Sequence, residues 1–153
     1  KLYRLADGPY PEGHHRVPFG AAAVRRVGTD LTIIAYGAMA HWSQEAAGVL
    51  ADEGIDAEVI DQRSLRPLDW PTVEASVQKT GKVLIVHEDN EFGGYGAEIA
   101  AQVADKTFEY LDGPVRRYAA PEVPAFPFSD ALEKMVMPNT EGIVQRATEL
   151  SRY

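Results

Sequence analysis

The stretch richest in chemistry is His87-Glu88-Asp89-Asn90-Glu91, which runs straight into Phe92-Gly93-Gly94-Tyr95-Gly96-Ala97-Glu98. A histidine beside a carboxylate invites a general-base or metal-ligand role. A glycine cluster between a strand and a helix lets backbone N–H groups approach an anion such as a phosphate. Neither reading is completed by its neighbours. The glycine pattern is Gly94-x-Gly96-x-x-Ile99, without a third glycine, and no Lys-Ser/Thr pair follows. Glu88, Asp89 and Glu91 precede the turn, and Glu98 falls in the first helical turn, where a carboxylate suits the helix dipole but repels a phosphate. The plainer reading is a tight turn that lets a helix pack closely.

The other candidates are thinner. His14, His15 and His41 have no ligand spacing, and the one Glu-x-x-His run, Glu12 to His15, lies in a Pro/Gly-rich stretch where no helix would align the two. His14-His15 reads as a solvated pair. Neighbours on a strand point to opposite faces, so His87 and Glu88 cannot serve one ligand if the strand persists. His87 is expected to be a hydrogen-bonded interfacial or strand-end residue. Ser43, Ser64, Ser76, Ser129 and Ser151 lack the glycine context of a nucleophile elbow. Arg63, two residues after Asp61, can clamp an anion, pair with Asp61, or meet a carboxylate across an interface; an ion pair is the favoured reading. No residue is assigned as catalytic, cofactor-binding or metal-binding.

The elements that would position these residues alternate regularly. Leu31 to Tyr36 is a short apolar run after the turn Gly28-Thr29-Asp30, as a buried parallel strand requires. A helix follows over about residues 40–53, stopped by Gly54. Residues 57–61 form a strand, and Asp69-Trp70-Pro71 opens a helix to about Lys79. Residues 82–87 form the clearest strand. A long helix is expected over 94–110, a strand over 115–118, and helices over 129–135 and 140–150. Residues 22–27 suit an antiparallel edge strand. The fold class is therefore α/β, three layers with a mainly parallel sheet and one antiparallel edge.

Bulk composition narrows the function classes. The 153 residues carry 45% hydrophobic and 25% charged side chains, which fits one globular domain able to bury a core of its own. Fifteen Lys and Arg against twenty-three Asp and Glu leave a formal charge of −8, which opposes nucleic acid and anionic membrane as partners. With no cysteine, disulfides, thiol nucleophiles and Cys-zinc sites are excluded. No apolar run approaches the roughly 20 residues of a membrane span. The simplest expected location is cytoplasmic, or the mitochondrial matrix in a eukaryote. The sequence opens Lys1-Leu2-Tyr3 without an initiator Met, so it is expected to be part of a longer chain.

Longer runs carry a family likeness. Thr32 to Gly37, Glu45-Ala46-Ala47, Ala57 to Asp69, Ser76 to Lys82, Val86-His87-Glu88, Gly94 to Ala100, Leu111 to Arg117 and Leu132-Glu133 resemble the C-terminal domain of transketolase-like enzymes. The nearest likeness is to the β subunit of the E1 component of 2-oxo acid dehydrogenase complexes. Leu2-Tyr3-Arg4 and Val17 to Ala22 resemble the linker joining the halves of that subunit, so residues 1–20 are expected to be an arm and residues 21–153 the domain. Two departures stand out. Ala21 replaces a frequent lysine, which removes an ion pair from the arm, and Gly113 replaces a usual alanine before Pro114, loosening a turn.

The resemblance implies half of an enzyme subunit, not a complete active site. The whole enzyme would use thiamine diphosphate and Mg²⁺ to decarboxylate pyruvate or a branched-chain 2-oxo acid and pass the acyl group to E2 lipoyl groups. This domain would bind neither cofactor. Its implied partners are its own N-terminal β half, an E1 α subunit and a second β subunit in a heterotetramer, and the E2 peripheral subunit-binding domain. The expected subunit interface comprises Arg63, His87, Glu88, Phe92, Gly93, Gly94, Tyr95, Gly96 and Glu98, with the glycines as a flat surface for close approach. The acidic residues Glu122, Asp130, Glu133, Glu141 and Glu149 are the expected docking points for a basic E2 module. The alternatives are another transketolase-like enzyme and a stand-alone nucleotide-binding module built on the Gly94-x-Gly96 turn.

Overall fold

The computed structural model describes residues 12–153, together with Leu2 and Gly8. The expected arm over residues 1–20 therefore falls partly outside the described residues. Five strands, β1 (Ala23–Arg26), β2 (Leu31–Ala35), β3 (Ala57–Asp61), β4 (Val83–Asn90) and β5 (Arg116–Ala120), form one sheet in the order β1-β3-β2-β4-β5. All neighbours are parallel except β1 and β3, which are antiparallel. The edge strand thus skips its chain neighbour β2. Gly28 makes this possible: a Cβ there would lie 2.3 Å from the backbone carbonyl carbon of Ala57, so only glycine lets the turn cross so close to the start of β3. Arg25 pairs with Asp61 at 2.7 Å and Arg26 with Asp56 at 2.8 Å, which fixes the register from both ends.

The helices are α1 (Ala38–Asp52), α2 (Trp70–Thr80), α3 (Tyr95–Lys106), α4 (Asp130–Val136) and α5 (Thr140–Ser151). Alternation along the buried strands sends side chains to two cores. Leu31, Ile33, Ala35, Leu84 and Val86 meet Met39, Leu50, Ile143 and Leu150 of α1 and α5. Ile34, Val83 and Ile85 meet Val73, Val77, Ile99 and Val103 of α2 and α3. The result is the expected α/β/α sandwich, built by burying apolar strands on both faces.

Local chemistry explains the boundaries. Asp69 caps α2 by accepting from the Thr72 N–H at 3.3 Å, Pro71 sits in the first turn, and Gly81 closes the helix in the left-handed conformation at φ 66°. Helix α3 ends at Lys106, four residues short of the expected Tyr110. There the Thr107 hydroxyl bonds the Val103 carbonyl at 2.7 Å, and a short 3-10 turn, Phe108–Tyr110, leads out. Strand β4 runs three residues past His87 because Glu91 N–H donates to the Ala120 carbonyl at 2.8 Å, tying the strand end to β5. Helix α4 buries no residue.

Candidate functional site

Open parallel sheets hold ligands beyond the carboxyl ends of their strands. Here those ends carry Gln62, Tyr36 and His87, each one residue past the paired positions Asp61, Ala35 and Val86. All three follow the face of Ile34 and Ile85, toward α2 and α3. His87 is fully buried, with the Tyr36 ring stacked on it at 5.8 Å and 8° between planes. Tyr95 meets Tyr36 edge-on at 6.3 Å, and its hydroxyl donates to the Leu65 carbonyl.

The glycine turn closes over this histidine. A Cβ on Gly94 would lie 2.8 Å from His87 Cε1, and one on Gly96 would lie 2.2 Å from His87 Nε2. The two glycines therefore face inward and are buried, allowing the first turn of α3 to lie against the ring. They do not form the outward flat surface expected of a subunit contact. Backbone N–H groups cannot cradle a diphosphate where the imidazole already fills the space, and among the described residues no cluster of three His, Asp or Glu could hold a metal ion. The residues of this turn do not fit a thiamine diphosphate–Mg²⁺ group.

His87, expected to be hydrogen-bonded at an interface or strand end, is unpaired within the described residues. Neither ring nitrogen has a hydrogen-bond partner among the described residues, and the same holds for both amide atoms of buried Gln62 and for Asn90 Oδ1. Burial holds the His87 pKa below its usual value; nearby Asp89 opposes this and Arg117 adds to it. The imidazole is neutral at physiological pH. Burial, then Asp89 and Glu88, pushes the Tyr36 phenol up to about 12. Burial and Glu98 raise Tyr95 as well. Glu88 points to the other side of the sheet, its Oε1 3.2 Å from where a Gly37 Cβ would stand. His87 and Glu88 are thus separated, as strand alternation requires, and they form no acid–base pair.

Within the described residues Arg63 is a clasp and pairs with no carboxylate. Its Nε donates to the Ala21 carbonyl at 3.0 Å and its Nη2 to the Ala22 carbonyl at 2.8 Å, while Asp61 is taken by Arg25. Asp69 accepts from the Ala22 N–H at 2.8 Å. Arg63 holds a positive φ of 48° and uses it to aim back along the entering chain. Burial raises the Asp69 carboxyl, but the bonds from Ala22 and Thr72 outweigh it and hold the group below its ordinary value.

The remaining expected interface residues are outward. Phe92 is 80% exposed, Gly93 stands in open space at φ 74°, and Glu98 is exposed with Gln102 donating to it at 2.9 Å. The acidic residues divide between two surfaces. Glu141 and Glu149 line a groove between α1 and α5 with Glu53, Val49 and Arg152. Glu122 precedes α4, and Asp130 and Glu133 lie within it. Sequence reasoning passed over two features. Phe126, Phe128, Leu132 and Met135 form an exposed apolar run on and before α4. Arg116 and Arg146 converge on one cavity with Tyr153. A signal for the first was present in the unusual spacing of large apolar residues among prolines; the second joins residues thirty apart in sequence.

Residues 20–143 match the family model described as transketolase, C-terminal domain. This chain belongs to the transketolase C-terminal domain family. It is similar over its whole length to the pyruvate dehydrogenase E1 component subunit beta of Bacillus subtilis, at 42% identity, covering 46% of that protein. Likeness to the 2-oxoisovalerate dehydrogenase subunit beta of the same organism is 37%, again over the whole chain and 47% of the relative. The chain spans about half the length of these curated relatives. Among solved structures it resembles a split-gene transketolase described as an inactive beta4 tetramer, with TM-score 0.77 and 29% identity over 90% of this chain and 43% of that one.

Proposed function

We propose that this transketolase C-terminal domain is the assembly half of an E1 β-type subunit in a thiamine-diphosphate-dependent 2-oxo acid dehydrogenase. The observation that carries the reading is similarity, over the whole of this chain and 46% and 47% of the relatives, to two such β subunits, whose names carry pyruvate and 2-oxoisovalerate. The cofactor and Mg²⁺ belong to other parts of the enzyme, in line with the filled turn at Gly94 and Gly96. The partners are the N-terminal β half, an α subunit and a second β subunit in a heterotetramer. The complex works in a bacterial cytoplasm or a mitochondrial matrix. No described helix is long and apolar enough to cross a membrane.

The run Phe126, Phe128, Leu132 and Met135 is the subunit-facing surface. Phe128 is fully exposed and Met135 is 78% exposed, a concentration of apolar area that favours burial against another chain. Phe92 and Gly93 extend the contact from the β4–α3 turn. The α1–α5 groove, with Glu53, Glu141 and Glu149, suits a basic E2 module through electrostatic steering. Surface plasmon resonance of the whole E1 against the E2 subunit-binding domain tests this last point. Association should slow steeply as salt is raised, and a Glu141→Lys/Glu149→Lys variant should dock more weakly. Salt-independent association would remove the docking assignment.

A further inference from the structure

Near the amino end of β5, Arg116, Arg117, Arg146, Glu149, Leu150 and Tyr153 line a cavity of about 350 Å³. Two of the chain's ten arginine side chains, those of Arg116 and Arg146, meet there, in a protein of net charge −8. Elsewhere the sheet-edge arginines are neutralised: Arg25 by Asp61 and Arg26 by Asp56. Arg116 and Arg146 have no carboxylate within ion-pair distance among the described residues. The sole acidic lining residue, Glu149, accepts from Gln145 Nε2 at 3.0 Å.

These arginines are also held in place. The Arg146 guanidinium lies 3.8 Å from the centre of the Tyr118 ring and donates to the Gly142 carbonyl at 3.2 Å. Tyr118 reaches that position because residue 142 is glycine; a Cβ there would stand 2.3 Å from the phenol oxygen. Arg117, paired with Ile85, turns to the other face, where it is anchored to the Glu91 carbonyl and lies 3.9 Å from the Glu91 carboxylate. Tyr153 packs over Gly113, where a Cβ would come within 3.1 Å of the Tyr153 Cβ, and Arg116 Nη2 approaches the Tyr153 hydroxyl at 3.5 Å. Gly113 therefore gives Tyr153 its room, beyond the loosened turn expected of it.

We propose that this cavity binds the phosphoryl group of a small phosphorylated metabolite. Two guanidinium groups and one carboxylate leave one positive charge, which attracts a phosphate monoester of charge about −1.5 to −2 at neutral pH. Planar guanidinium forks engage tetrahedral oxyanions through paired hydrogen bonds, and the Tyr153 hydroxyl adds a donor. The cavity is larger than phosphate alone needs and lies at the small end of the range for ligand sites, which leaves room for a compact organic group.

The test is an NMR titration of the full-length subunit, labelled at arginine side chains, with inorganic phosphate and with glycerol phosphate. The Arg116 and Arg146 guanidinium signals should shift saturably, with glycerol phosphate binding at least as tightly as phosphate. Arg116→Ala/Arg146→Ala should weaken binding by about tenfold or more. Arg146→Lys, which keeps the charge and the fold, should weaken it less, and Lys106→Ala should leave it unchanged. Absence of saturation, or equal affinity in the double variant and Lys106→Ala, would overturn the site. A phosphoserine peptide binding about tenfold tighter than glycerol phosphate would overturn the small-molecule assignment.

Discussion

The two ends of the sheet have been treated in opposite ways. At the carboxyl ends of β2, β3 and β4, where folds of this layout usually hold ligands, side chains and glycines fill the space. His87 lies under Gly94 and Gly96, and Arg63 and Asp69 clasp the entering chain. Near the amino end of β5, arginines surround an open cavity and a glycine at residue 142 keeps the supporting tyrosine in place. A fold's usual binding end is a habit of topology, while binding itself depends on which side chains leave room. In this chain the usual end has become structure.

If the closed end is packed as tightly as the glycine contacts imply, Gly96→Ala should cost about 3 kcal/mol, since either the buried imidazole or α3 must move. Urea unfolding checks this, and a variant as stable as the parent would mean that His87 is not confined. The same imidazole should leave a pH signature. Its folded pKa lies below the ordinary 6.5, so the unfolded chain takes up the proton first as pH falls. Stability should therefore decline below about pH 6.5, by at most about 1.4 kcal/mol per pH unit, and the decline should be absent in His87→Asn. Denaturation midpoints measured from pH 7.5 down to 5.5 decide it.

Smaller effects sharpen the contrast. Asp69→Ala removes the α2 cap and the Ala22 tether, for an expected loss of about 1 kcal/mol and earlier proteolysis ahead of β1. Asp69 is held below its ordinary pKa, so its contribution persists at neutral pH and fades only in acid, beneath the His87 window. At the open end, Gly142→Ala should displace Tyr118 while gaining helix preference of up to about 1 kcal/mol, so stability changes little. Phosphate binding should nonetheless weaken severalfold. A variant of unchanged affinity would separate Arg146 from its aromatic support.

The layout was legible in the sequence because the strands are apolar on both faces. Ala57–Asp61 emerges at its full extent, and the two cores follow from alternation. Polar tails hid more. Glu88, Asp89 and Asn90 do not look like strand, yet pairing of Asn90 with Ala120 and the Glu91 N–H bond to the Ala120 carbonyl keep them in one. The pairing of β1 with β3 rests on Gly28 crossing Ala57, a contact that no local pattern announces. The site was harder still. The family runs marked the β4–α3 turn as important, but the inward direction of Gly94 and Gly96 depends on where α3 lies. Arg116, Arg146 and Tyr153 become neighbours only when α5 packs beside β5.

The central claim is that this domain works by holding an E1 enzyme together. Light scattering on the full-length subunit co-purified with its α partner tests it directly, comparing the parent with Phe128→Glu/Met135→Glu. The parent should have the mass of a heterotetramer and the variant should fall to smaller species while its circular dichroism stays unchanged. An intact heterotetramer in the variant, or a parent that never associates with the α subunit, would contradict the account.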